Sequence, residues 1–385
     1  MTVLTQEQVA TLTVLRRELH RKPEVSGEEA ETARRIAQEL TARGADWIWQ
    51  GLGGHGVAAA FDGVTDGPTV LLRCELDGLP IHEINDIAHK SEIEGKGHLC
   101  GHDGHMVSML GVATALANRP ATGRVILLFQ PAEETGAGAK AVIEDARWPE
   151  LRPDYAFAYH NVPGRPLGEV GLRAGPSNCA SRGMQILLEG KSSHAAAPED
   201  GVSPGPAMAA LMQALPTLST GTIEDEGFAL VTLTHAQLGE PTFGIAPGRG
   251  ELRVTLRCMT DARMDALVSD AIALVARHTD DLSVDIRWHD IFLSVTNDTE
   301  ATGVARRQAS AQARALYEMP APMRWSEDFG RIGLDGAKAA IIYLGAGETH
   351  PQLHNPDYDF PDALIPIAAD LFCGIITEML GPSQV

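Results

Sequence analysis

Residues 98–105 read HLCGHDGH, which places three histidines, a cysteine and an aspartate in eight positions. Thiolate and imidazole groups at this density suit a transition metal such as zinc better than calcium or magnesium. Other chemistry-bearing residues stand far away in the chain. Asp77 follows VLLRCEL, Gln130-Pro131-Ala132-Glu133-Glu134 follows RVILLF, His160-Asn161 follows YAFAY, and His354 lies in LHNPDYDF after AAIIYLG. If these loops converge, Cys100, His102, one of the two glutamates, His160 and His354 are placed to hold metal. Five ligands exceed the needs of one open catalytic zinc and suit two ions a few ångström apart. Of Glu133 and Glu134, one then binds metal and the other stays free as a general base. Water on zinc has a pKa near 7, so a nucleophile is available at neutral pH.

Each of these residues also has an ordinary explanation. A lone cysteine is commonly a small buried apolar residue, a lone histidine a hydrogen-bonder, and a Glu-Glu pair a solvated helix start. It is their joint placement after separate strands that favours a metal centre. His55, His98, His105 and His289 are assigned roles in structure or in supporting the ligands from behind, and Asp103 the role of orienting a ligand imidazole.

Strand exits of this kind belong to an α/β sheet, which carries its site at the carboxyl ends of its strands. Residues 70–76, 124–129, 155–159 and 339–344 are short apolar runs of the buried-strand type. Residues 5–20 read as an opening amphipathic helix, and a further helix is expected at about 103–118. A capping-box pattern at Ser26 and Glu29, with a stop at Gly44, predicts a helix over 27–43. Between these lies a stretch with clearer alternation. It has strands at 183–190, 228–237, 251–258 and 283–288 and helices at 208–218 and 262–278, a four-stranded, two-helix unit inserted at 177–291. The expected organisation is a catalytic domain over 1–176 and 292–385 with an inserted domain over 177–291.

The chain has 385 residues and a net charge of -20. That balance argues against nucleic acid and against an anionic membrane surface as partners. The N-terminus lacks a basic start and apolar run, no stretch approaches transmembrane length, and the five cysteines are odd in number and widely spaced. A cytoplasmic location is expected.

The ordered segments CELDGLPIHE, HLCGHDGHMVSMLG, LLFQPAEETGAGA, YHNVPG, GKSSHAAAP, SEDFG and LHNPDYDF resemble the amidohydrolase branch of the aminoacylase-type metallopeptidases. That branch includes hippurate hydrolase, auxin-conjugate hydrolases and N-acyl-amino-acid deacylases. The resemblance runs from about residue 15 to 362. It implies a mixed-sheet catalytic domain with two divalent metal ions, zinc or manganese, an inserted ferredoxin-like lid, and a homodimer or higher homo-oligomer. It implies ligands at Cys100, His102, Glu134, His160 and His354, a general base at Glu133 and an orienting aspartate at Asp77. It also implies a lid histidine at His194 that stabilises the oxyanion, in several relatives from a neighbouring subunit. Arg257 matches an arginine able to meet a substrate carboxylate. The chain departs from the branch at Glu75, where aspartate is usual, and at FGIAPG, where Gly244 and Gly248 replace an Asn-Val-Ile-Pro-Asp segment.

The expected reaction is hydrolysis of the amide bond of N-acyl amino acids or related small conjugates. A dipeptidase or carboxypeptidase of the same family is a second reading. A His-Asp metal phosphohydrolase built on His102-Asp103, and a non-catalytic metal-binding relative, are a third and a fourth.

Overall fold

A computed structural model describes residues 2–382 and divides the chain into two compact units. The first comprises Met1–Ser177, Thr296–Met319 and Asp328–Val385. The apolar runs form its eight-stranded mixed sheet. In chain order the first strands are β1 (Trp47–Leu52), β2 (Gly56–Asp62), β3 (Thr65–Glu75), β4 (Thr122–Gln130), β5 (Tyr155–Val162) and β6 (Val170–Leu172). They are joined by strands Leu316–Glu318 and Lys338–Gly345. The spatial order is β1, β2, β4, β3, β5, Lys338–Gly345, β6, Leu316–Glu318. β3 runs parallel to both β4 and β5, and Lys338–Gly345 runs parallel to β5. Four consecutive neighbours therefore end on the same side of the sheet. Those ends are the ones that carry the chemistry-bearing residues.

Helices α1 (Gln6–Arg21), α2 (Ala30–Ala42) and α3 (His102–Ala115) and helix Leu364–Leu380 contribute to the main core. α3 is buried from His102 through Ala113, so it lies inside the unit with no solvent face along that stretch, its polar side chains gathered in the first two turns. Its start explains two glycines of the metal-like stretch. Gly101 takes φ +99°, and a Cβ there would lie 2.6 Å from Asn161 Oδ1. A Cβ on Gly104 would sit 2.2 Å from the ring of Phe360.

The expected capping box does not form. α2 begins at Ala30, and its first turn is capped by Glu24, whose carboxylate accepts from the N–H groups of Thr32 (2.7 Å) and Glu31 (3.3 Å). Ser26 and Glu29 face elsewhere. Ser26 Oγ donates to Asp77 Oδ2 at 2.7 Å, and Glu29 accepts the N–H of Ala132 at 2.8 Å. Local spacing suggested a cap, but tertiary partners claimed both side chains.

The second unit comprises Asn178–Val295 with Pro320–Glu327. Its strands and helices alternate as βαββαβ: Ala180–Glu189, Gly205–Ala214, Ala229–Leu238, Arg249–Cys258, Asp261–Arg277 and Ser283–Phe292. The sheet order is Ala229–Leu238, Arg249–Cys258, Ala180–Glu189, Ser283–Phe292, antiparallel throughout. Met184, Ile186, Leu252, Val254, Met264 and Leu267 fill its own core. The sequence reading ended the insertion at 291 and kept 320–327 with the rest of the chain. In the structure Arg257 Nη1 binds Arg324 O (2.6 Å) and Ser326 Oγ (2.7 Å), so that segment packs with the second unit. Among the described residues no helix is long and apolar enough to cross a membrane.

Candidate metal centre

β3 delivers Asp77, which is fully buried. Its Oδ2 accepts from Ser26 Oγ and from the N–H of Glu134 at 3.0 Å, which ties the Glu133-Glu134 turn to the end of β3. Its carbonyl accepts from His102 Nδ1 at 2.9 Å, and its Oδ1 lies 3.3 Å from the same atom. This contact places the His102 hydrogen on Nδ1 and leaves Nε2 to face inward. Nε2 is buried, has no hydrogen-bond partner among the described residues, and lies 3.9 Å from Glu134 Oε1. β5 delivers His160, whose Nδ1 donates to the carbonyl of Asn161 (2.9 Å) and whose Nε2 lies 3.4 Å from Cys100 Sγ. His354, half exposed, brings Nε2 to 3.6 Å from Glu134 Oε2.

The sequence-predicted residues thus meet in three overlapping groups: Cys100–His102–His160, Cys100–Glu134–His354 and His102–Glu133–Glu134. Within each group the candidate ligand atoms lie within 4.8 Å of one another. Cys100 belongs to two of the groups. The donor set of one thiol, three imidazoles and carboxylates suits zinc-like cations.

The electrostatics favour added positive charge. Burial opposes a charged His102, but Glu75, the bond to Asp77 and Glu134 outweigh it and raise its pKa to about 10. Because Nδ1 already donates to Asp77, the second proton sits on Nε2, the atom a cation would take. Burial, with His105 and His102 nearby, pushes His160 well below the usual imidazole range. Burial and His102 push His354 down to about 4. Burial and the carboxylates of Glu134 and Glu133 push the Cys100 thiol well up. A cation among these carboxylates reverses that last effect and draws out the thiolate.

A buried network on β3 shapes the site, and of its members Arg73 and Asp328 were not singled out from sequence. Arg73 and Glu75 are fully buried on β3 and paired with each other. Arg73 also donates to Gln130 Oε1 (2.9 Å) and to Asp328 Oδ1 (2.7 Å). Glu75 Oε2 lies 2.6 Å from His105 Nδ1, and His105 Nε2 lies 2.6 Å from Asn161 Oδ1. Burial alone would raise Glu75, but Arg73 and His105 hold it well below the usual carboxylate range. The signal was present: Arg73 and Glu75 alternate inside the apolar run VLLRCEL, which puts two charges on one face of a buried strand. The longer Glu75, at the position where aspartate was expected, is the side chain that reaches His105.

Asp103 does not face His102. Its Oδ2 lies 3.2 Å from Arg16 Nη1 and 2.9 Å from His20 Nδ1, so the orienting role expected of it falls to Asp77. A His-Asp pair of the phosphohydrolase kind is therefore not formed. His98 is buried, with neither ring nitrogen hydrogen-bonded among the described residues, and His289 is exposed and bonds Gln185 Oε1 at 3.0 Å.

In the second unit His194 is exposed on the short strand Ser193–His194, paired with Ile245–Ala246. Its Nδ1 accepts the N–H of Ala196 at 3.0 Å, which leaves Nε2–H to donate. Gly244, in the segment that departs from the family, accepts the N–H of Ala195 through its carbonyl at 3.1 Å. Arg257 is half-buried and, among the described residues, has no carboxylate within ion-pair distance.

The family model of peptidase family M20/M25/M40 matches residues 71–378. An N-acetyl-L-cysteine deacetylase of Bacillus subtilis (strain 168) is 32% identical over 356 residues, covering 91% of this chain and 84% of that protein. A hippurate hydrolase of Campylobacter jejuni is 29% identical over 375 residues, covering 95% and 96%. Among solved structures, a dinuclear metal-binding peptidase from the M20 family of Bacillus subtilis has the same fold. Its TM-score is 0.81 at 24% identity, over 98% of this chain and 99% of that one.

Proposed function

The chain belongs to peptidase family M20/M25/M40, and from that premise we propose that it is a metal-dependent hydrolase cleaving the amide bond of N-acyl amino acids or related small amide conjugates. The observation that carries this reading is the meeting of Cys100, His102, Glu134, His160 and His354 beside the buried Glu133. The two relatives, named as a deacetylase and as a hippurate hydrolase, support it.

Cys100, His102 and His160 would hold one divalent cation, and Cys100, Glu134 and His354 a second. Zinc or manganese bound there supplies Lewis acidity, which acidifies water and polarises the scissile carbonyl. The protein residues do the rest. Asp77 fixes the His102 tautomer, so that Nε2 faces the site. Glu133 takes a proton from the attacking water as the new C–O bond forms. It returns that proton to the nitrogen as the C–N bond breaks, and the second proton of the water passes from the new carboxyl group to the freed amine, leaving a carboxylate and an ammonium. His194 donates Nε2–H to the oxyanion. Arg257, which has no acidic partner among the described residues, receives the substrate carboxylate.

The protein works in the cytoplasm, where its five free cysteines stay reduced, and as a homodimer or higher homo-oligomer. The test is a hydrolysis screen over acetyl, benzoyl and indole-acetyl amino acids and dipeptides, with elemental analysis of the same sample. Turnover of acyl amino acids with about two cations per chain supports the reading. Turnover of dipeptides alone would favour the peptidase reading, and bound metal without any turnover would defeat both.

A further inference from the structure

Arg16 and His20 lie one turn apart on α1, and both are fully buried. Arg16 spends every nitrogen on a partner. Nη1 donates to Asp103 Oδ2 (3.2 Å) and Asp359 Oδ1 (2.6 Å), Nε donates to Asp362 Oδ1 (2.8 Å), and Nη2 lies 3.0 Å from His89 Nε2. His20 joins the same Asp103 oxygen and reaches Glu83 Oε1 at 3.3 Å. Burying charge in this way is costly, and an apolar side chain would pack α1 more cheaply. The positions of the partners suggest what the cluster does instead.

Asp103 directly follows His102 in the first turn of α3. Asp359 and Asp362 close the loop that opens at His354. The guanidinium therefore joins the two segments that bring Cys100 and His102 from one side and His354 from the other. The His354 loop also needs holding. His354 has φ +64°, a left-handed backbone that a histidine keeps only where its surroundings over-determine it. Its N–H donates to the carbonyl of Leu99 at 2.8 Å, and the aspartates on Arg16 anchor the far end of the same loop.

We propose that Arg16 is a positioning residue for the cation centre: through Asp103 on one arm and Asp359 and Asp362 on the others, it holds the Cys100–His102 segment and the His354 loop at ligand distance from each other. The proposal rests on reading the site as a metal centre, and its test separates the two.

The full chain is loaded with Zn2+ and equilibrated against a graded chelator series, and retained metal is read by elemental analysis below the unfolding temperature. Wild type, Arg16→Met, Arg16→Lys and Asp362→Asn are compared, with Leu151→Ala as a buried control. Arg16→Met is expected to release metal at about tenfold to a hundredfold lower chelator, the usual effect of removing a partner that orients ligands. Arg16→Lys, which keeps the charge but not the fork, should recover part of this, and Asp362→Asn should show a smaller loss. Retention in Arg16→Met equal to wild type would overturn the positioning role, as would equal release by the Leu151→Ala control. If Arg16→Met does not fold, unchanged retention in Asp362→Asn overturns it. A wild-type chain that retains no cation removes the metal reading itself, and this role with it.

Discussion

His20 offers a test of the buried cluster that is independent of catalysis. Burial alone would lower its pKa, but the Asp103 and Glu83 contacts outweigh that and raise it from 6.5 to about 9. A group whose folded pKa is raised stabilises the fold fully below its unfolded pKa, and that stabilisation is lost as pH rises through the folded one. The window therefore runs from about 6.5 to about 9. The shift of about 2.5 units corresponds to about 3 kcal/mol at 1.36 kcal/mol per unit. The perturbation is His20→Gln, which removes the titration and leaves a polar side chain. Urea unfolding of both chains at pH 6 and pH 10 measures the stability gap between them. That gap should be about 3 kcal/mol larger at pH 6, since groups common to both chains cancel. Histidine 13C NMR adds a direct reading: the resonance missing from the variant should titrate in wild type near pH 9. A gap equal at both pH values, or a resonance titrating at pH 7 or below, would show that Asp103 does not hold His20 in its charged form.

Three further outcomes follow from the site. Glu133→Gln should retain its metal by elemental analysis yet turn over at least about a hundredfold more slowly, the usual scale for losing a general base; near-normal turnover would remove Glu133 from that role. Cys100→Ala should lower metal content in the same analysis, because Cys100 belongs to two of the ligand groups; full occupancy would remove it as a ligand. Gly104→Ala places a Cβ within 2.2 Å of the Phe360 ring and should cost about 1–3 kcal/mol by overpacking, read as a lower midpoint in urea unfolding. An unchanged midpoint would mean that Phe360 can move aside.

Four of the eight strands of the main sheet were legible in the chain because these central strands are buried on both faces and read as unbroken apolar runs; β1, β2, β6 and Leu316–Glu318 were not. VLLRCEL and RVILLF needed no tertiary information to be recognised as strands. The βαββαβ order of the second unit was also legible, since half-buried strands alternate and helices do not. The start of α2 was not. Ser26 and Glu29 have the types and spacing of a cap, yet their side chains bond Asp77 and Ala132, and Glu24 caps the helix instead. Local pattern cannot weigh a partner about fifty or a hundred residues away.

The chemistry of the centre was written in residue types: a thiol, imidazoles and carboxylates placed at strand exits are the donors a metal site needs. Which of them meet was decided by topology, because β3, β4, β5 and Lys338–Gly345 run parallel and so end together. The direction in which each side chain faces was also a tertiary matter. The sequence offered both Asp77, through the resemblance, and Asp103, through its place in the motif, to orient a ligand imidazole. Asp77 is the one that holds His102, because Asp103 is turned towards Arg16 and His20 on a helix far away in sequence. A side chain's composition sets what it can bind, but the packing around a buried charge sets what it does bind, since such a charge must find its partners within the fold.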